Sequence, residues 1–173
     1  MSLKSDHKIH ADLLLAKEHL YDKCNFECSL PEKEKESADY GAYSFQLNNK
    51  SIVFRVAKIT PKKIGQFVTL WKRIGNGPIQ PFDCTDSIDL IVISVRKDNR
   101  VGQFVFPKSV LCEKGIITTT TKEGKRAIRV YPPWDEAINK QAQKTQQWQL
   151  DYFLEIPTDG KLNIENAKKL YGL

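Results

Sequence analysis

The run from Ile88 to Val95 constrains this chain more than any other stretch, because from Leu90 onward it is apolar at odd and even positions almost without a break. Successive side chains of a strand point to opposite faces, so a run apolar on both faces belongs to a central strand buried on both sides. It is also far short of the ~18 apolar residues that a membrane-crossing helix needs, and no other run in the sequence approaches that length. The chain must therefore build a sheet around this strand. Suitable neighbours lie on either side. Tyr43 to Leu47 alternates, Asn48-Asn49 supplies a tight turn, and Ile52 to Ile59 returns as its hairpin partner. Thr60-Pro61-Lys62-Lys63 interrupts the pattern, Gly65 reopens it, and Phe67 to Ile74 reads as a third strand before the loop Gly75 to Pro81. Beyond the central run, Lys97 to Arg100 turns the chain into Gly102 to Phe106. A short helix follows over Pro107 to Lys114. Ile116 to Thr121 and Arg126 to Tyr131 read as a last hairpin around Lys122-Glu123-Gly124.

Helical periodicity appears at the two ends. Ser5 and Asp6 look like a helix start, and Ile9, Leu13, Ala16 and Leu20 recur at helical spacing within a predicted helix over residues 5–24. Asn25 to Asp39 is a polar connector. Asp135 to Glu155 reads as one long helix, and Ile164 to Tyr171 as a short final one. A chain of 173 residues suits one domain over residues 1–173, with residues 1–3 given no structural meaning, a β region over 42–134 and C-terminal helices over 135–173. The expected fold class is α+β. Consecutive hairpins predict about seven strands in a mostly antiparallel, strongly twisted or barrel-like sheet, with an N-terminal helix and two C-terminal helices.

The usual chemical signatures are missing. His7, His10 and His19 all precede the β region, no HExxH, GxSxG, P-loop or GxGxxG motif occurs, and no cofactor is expected. Cys24, Cys28, Cys84 and Cys112 lack the spacing of a secreted disulfide framework, and no secretory signal opens the sequence, so a cytoplasmic setting with reduced thiols is expected. Cys24 and Cys28, with His19, lack the further ligands that a soft-metal site takes, so no metal is expected.

Charge is the informative signal. Residues 42–134 carry 16 Lys and Arg against 6 Asp and Glu, a net of +10, while residues 1–41 and 135–173 are slightly acidic. Arg55 and Lys58 fall on the second strand, Lys62 and Lys63 in the following turn, and Trp71, Lys72 and Arg73 at the end of the third strand. Lys108 opens the short helix. Lys125, Arg126 and Arg129 belong to the last hairpin, with Tyr131 and Trp134 just beyond. Cations interleaved with aromatics on strands and turns are how sheet-based binders hold phosphates and stack bases. An enzymatic alternative is a nuclease-like or nucleotide-processing metal site around Asp83, Asp86 and Asp89, with Gln103 and Lys108 on the next strand and helix. That pattern is only half present, because Val105 stands where a catalytic lysine is needed. A third reading is a protein-interaction module.

As an ordered set, several stretches resemble the MepB-like family of small bacterial proteins, named from an operon that also encodes a multidrug efflux pump and its repressor. They are Phe54 to Arg73, Gly77-Pro78-Ile79, Pro81-Phe82, Gly102 to Leu111, Gly115-Ile116, Gly124 to Arg126, Arg129 to Trp134, and then Lys140 to Ala142, Thr145 to Gln149 and Tyr152-Phe153. The resemblance implies a bacterial cytoplasmic setting and carries no catalytic residue. Its motifs overlap the basic set, including Arg55, Lys58, Lys63, Trp71, Lys72, Arg73, Lys108, Arg126, Arg129 and Trp134. The expectation is a non-catalytic protein that binds nucleic acid, DNA above all, or another polyanion through a basic face of the β region.

Overall fold

The computed structural model describes residues 8–173, and the predicted helix start at Ser5 and Asp6 lies outside them. The first helix, α1 (Ala11–Ala16), is capped by His10, whose Nδ1 accepts the Asp12 amide at 3.0 Å; it widens into a π turn over Lys17–Tyr21. The strands are β1 (Glu32–Lys33), β2 (Tyr43–Leu47), β3 (Lys50–Val56), β4 (Lys58–Thr60), β5 (Lys63–Thr69), β6 (Trp71–Arg73), β7 (Ile79–Pro81), β8 (Leu90–Lys97), β9 (Arg100–Pro107), β10 (Ala127–Val130) and β11 (Phe153–Glu155). Between and after them lie α2 (Lys108–Glu113), α3 (Lys140–Gln149) and α4 (Ile164–Tyr171).

The fold is α+β, and several of the finer expectations are corrected. The described residues form eleven strands where about seven were predicted, because short strands fill stretches that read as turns, loops or helix. The main sheet is open, in the order β1-β2-β3-β8-β9-β11, and not barrel-like. It is also mixed. β3 and β8 run parallel, with Ile52 opposite Leu90 and Val56 opposite Ser94, while its other pairings are antiparallel. A parallel pair needs a long crossover. Here that crossover carries the strands β4 to β7, which form a separate three-stranded sheet (β10-β5-β4) and a ribbon (β6-β7). The predicted third strand thus divides at Leu70, and β10 pairs with β5 instead of with residues 116–121. The predicted long helix also stops early. Its last residues, Phe153–Glu155, become an edge strand on β9, where Gly102 admits the Phe153 ring that a Cβ would strike.

β8 is central, as its two-faced pattern requires. Leu90 and Val92 join the core beneath α1 and α4, with Leu13, Leu20, Phe45, Phe54, Val105 and Tyr171. Ile91, Ile93 and Val95 join a second core on the opposite face, with Val68, Leu70, Phe104, Phe106, Leu111, Ile128 and Val130. Two clusters of buried residues, one on each side of the main sheet, make this a layered fold, in which the small sheet, α2 and α3 cover one face. Buried Asp12 pins α1 to β8, accepting from Ser94 Oγ at 3.2 Å and from Arg96 Nη2 at 2.6 Å. No helix among the described residues is long and apolar enough to cross a membrane.

Candidate functional site

Alternation along β5 and β10 sorts their side chains between core and solvent. Gln66, Val68, Ile128 and Val130 point inward and are buried. Lys63, Phe67 and Arg129 take the opposite face, where Phe67 and Arg129 are direct cross-strand partners. Gly65, at φ +82°, keeps this face clear, since a Cβ there would sit 2.8 Å from the Tyr131 ring. α3 packs across the end of this sheet and buries little apolar surface of its own. It is docked by amides. Gln149, 1% exposed, accepts the Tyr131 N–H at 2.8 Å and donates to the Arg129 carbonyl at 3.0 Å, and so satisfies the open edge of β10 as a neighbouring strand would. Gln146 donates to the carbonyls of Pro132 and Asp135 at 3.0 and 2.8 Å.

Between sheet and helix lies a groove of about 490 Å3, walled by Lys63, Phe67, Lys125, Arg129 and Tyr131 on one side and by Asn139, Gln141, Thr145 and Trp148 on the other, with Lys114 at one end. Adjoining depressions extend it past Lys62 and Lys144. Six cations (Lys62, Lys63, Lys114, Lys125, Arg129 and Lys144) thus border one continuous concavity. Among the described residues none of the six is in an ion pair, and Asp151 at the far end is the one carboxylate in the lining. Arg129 is held but not neutralised. Its Nη1 donates to the carbonyls of Ile64 and Gly65 at 3.2 and 3.3 Å, and its Nη2 to Thr60 Oγ1 at 3.0 Å. Like charges collected in a concave site focus a positive potential outward and leave it to be met by an anion.

The other residues nominated by the sequence are spent elsewhere. Arg55 is fully buried, paired with Glu34 at 2.7 Å, and out of reach of any phosphate. Burial pushes the Glu34 carboxyl up and the Arg55 guanidinium down, and the attraction between the two opposes both shifts. Lys72 pairs with Asp86 at 2.7 Å. Arg73 and the Trp71 indole N–H both donate to Glu36, which holds that carboxyl below its ordinary range. Arg126 pairs with Glu123, and Lys108 donates to the carbonyls of Cys84 and Asp86. Lys58 sits 4.6 Å from the centre of the Tyr40 ring, and Trp134 is covered by Arg100 at 4.9 Å. The basic face expected of the β region therefore divides. Lys62, Lys63 and Arg129 reach the groove, Lys125 and Tyr131 from the last predicted hairpin join them, and Lys114, Lys144 and Trp148 were not singled out by the sequence. Trp148 carries the periodicity of an ordinary core position, and only the assembled fold shows one side of it facing the groove.

The carboxylates of the nuclease-like alternative do not converge. Asp83 accepts from Thr85, Asp86 from the Asp83 amide and Lys72, and Asp89 from the Ser51 amide at 2.8 Å. Gln103 is opposite Ser94, five residues along β8 from Asp89, or roughly 17 Å at ordinary strand rise, and binds Tyr171 in the core beneath α4. Among the described residues no three His, Cys, Asp or Glu side chains are gathered as a metal would require, and all four cysteines are free thiols.

The MepB-like family profile matches residues 34–155. A crystal structure of MepB is 37% identical to this chain, with a TM-score of 0.73, covering 84% of this chain and 97% of that one. A bacterial homing endonuclease, I-Ssp6803I, is 14% identical with a TM-score of 0.46, covering 86% and 93%, too distant to bear on function. No curated protein matches the chain.

Proposed function

The chain belongs to the MepB-like family, and from its surface chemistry we propose that it is a non-catalytic nucleic-acid-binding protein of the bacterial cytoplasm, with DNA as the polymer it holds. One observation carries the reading: six cations without carboxylate partners border a single concave groove, while most of the other nominated cations are neutralised by their own neighbours. Unpaired lysines and arginines brought together against their mutual repulsion favour a partner with a regular array of negative charge, and a phosphate backbone is such an array. The aromatic faces of Phe67, Tyr131 and Trp148 and the amides of Asn139 and Gln141 add the stacking and hydrogen-bonding groups that bases take up. The dispersed carboxylates around Asp83 supply no comparable support for cleavage.

Lysine acetylation footprinting tests the location. With an oligonucleotide bound, Lys62, Lys63, Lys114, Lys125 and Lys144 become protected from acetylation, while Lys17 and Lys97 react as in the free protein. Protection centred on Lys72 and Lys108 instead would move the interface to the β6–β7 ribbon and the start of α2 and overturn the assignment.

A further inference from the structure

Away from the groove, we infer that Cys84 and Cys112 form a redox pair, which hydrogen peroxide closes into a disulfide that ties the loop before β8 to α2. Two lengths of chain bring these cysteines to one place. Phe82 to Cys84 lies against Thr118, whose amide donates to the Phe82 carbonyl and whose carbonyl accepts the Cys84 amide, each at 2.9 Å. The stretch before Thr118 is itself fastened to the last turn of α2, because the amides of Ile116 and Ile117 donate to the Leu111 carbonyl at 2.9 and 3.2 Å. At the first turn of α2, Lys108 Nζ donates to the carbonyls of Cys84 and Asp86 at 3.0 and 3.1 Å. Lys108 and Cys112 are one helical turn apart on the same face, so the face that reaches the Cys84 loop also carries Cys112. Both cysteines are half-buried at the margin of the same core.

Their surroundings assign them different roles. Reactive cysteines occupy partly exposed places with cations close by. Cys84 has that setting, with Lys108 on its own carbonyl and Lys72 bound to Asp86 two residues on. Its thiol lies beside the Asp83 carboxyl, which the Thr85 amide and hydroxyl, and to a lesser extent Cys84, hold below the ordinary range. Burial raises the Cys112 thiol, and the neighbouring Cys84 and Asp83 charges add to the rise while Lys108 opposes it. Cys84 therefore meets the oxidant and Cys112 resolves it. Cys24 and Cys28 lack this arrangement: Cys24 is buried beneath α1, and the Cys28 thiol donates to the Ser29 carbonyl at 3.4 Å.

The chemistry balances with the peroxide as the one oxidant. The Cys84 sulfur attacks a peroxide oxygen, the O–O bond breaks, and a sulfenic acid forms while the other oxygen takes the thiol proton and leaves as water. The Cys112 sulfur then attacks the Cys84 sulfur, the S–O bond breaks, and the hydroxyl departs with the Cys112 proton as a second water. Two thiols give up two electrons, and one hydrogen peroxide becomes two waters. Disulfides of reducing compartments are typically transient ones of this sensing kind.

The test is peroxide treatment of the native protein, blocking of the remaining thiols with N-ethylmaleimide in denaturant, and mass spectrometry of the unreduced tryptic digest. One linked pair is expected, joining the peptide of residues 74–96 to that of residues 109–114 within a single chain, with Cys24 and Cys28 blocked as free thiols on the peptide of residues 24–33. The oxidised protein is expected to unfold at a higher temperature than the reduced one, because the bridge joins segments that the fold already holds together. In Cys112→Ser, dimedone traps the sulfenic acid on Cys84. A link between Cys24 and Cys28, a link between two copies, or no link after peroxide would overturn the pairing. A bridge that lowers the unfolding temperature would show closure forced against the fold, and dimedone captured by Cys112 in Cys84→Ser would overturn the roles.

Discussion

At the residue scale, the sorting of cations rests on which of them find a carboxylate within the fold. Arg55 shows the difficulty of reading this from sequence. Its alternation with Phe54 was visible, but a strand arginine looks the same whether its face meets water or a second layer. The second layer is there, and Glu34, from the connector before β2, crosses to meet it. Removing one member of such a pair leaves a buried charge with no counterpart, so Glu34→Gln is expected to cost about 3 kcal/mol in urea unfolding. Replacing both, Glu34→Gln with Arg55→Met, recovers most of that loss, because an apolar chain of similar volume needs no partner. A Glu34→Gln protein as stable as the parent would show that Arg55 reaches water after all.

At the element scale, α3 is placed by hydrogen bonds where most amphipathic helices are placed by an apolar stripe. Of its residues only Ala142 and Gln149 are buried. Gln149→Leu strips partners from the Tyr131 amide and the Arg129 carbonyl. Leaving such groups unsatisfied in a partly buried site costs about 1–3 kcal/mol each, so thermal unfolding should drop by several degrees. Oligonucleotide binding should weaken as well, although no charge is lost, because the helix wall loses its seat. Tight binding retained in this variant would mean that α3 is not a wall of the site. The sequence showed α3 itself, the hairpin of β2 and β3, the pairing of β8 with β9, and α4. It did not show the parallel pairing of β3 with β8, because nothing in the intervening residues distinguishes a crossover built of short strands from a run of successive hairpins. Nor did it show β11. The apolar residues Phe153 and Leu154 fit helical periodicity as readily as a short edge strand, and the vacancy beside Gly102 exists only after folding.

At the scale of the whole molecule, an excess of positive charge over residues 42–134 was evident from the sequence, but its geography was not. Lys114 follows α2 and Lys144 lies on α3, Lys63 and Arg129 lie on the small sheet and Lys62 and Lys125 in the loops that enter it, and the groove exists only where these pieces meet. Salt dependence reports that geography directly, since each phosphate neutralised releases counterions. Six groove contacts predict a slope of log K against log[salt] near −4 for a single strand and near −5 for a duplex. The most direct measurement compares this slope in two charge-reversed proteins, Lys63→Glu/Lys125→Glu in the groove and Lys72→Glu/Arg73→Glu beyond it. The groove variant is expected to lose roughly 1.5 units of slope and most of its affinity, and the second to keep the parental slope, because Asp86 and Glu36 already neutralise the residues it replaces. A slope that falls in the Lys72→Glu/Arg73→Glu protein and stays unchanged in the groove variant would contradict the account and place the interface on the β6–β7 ribbon.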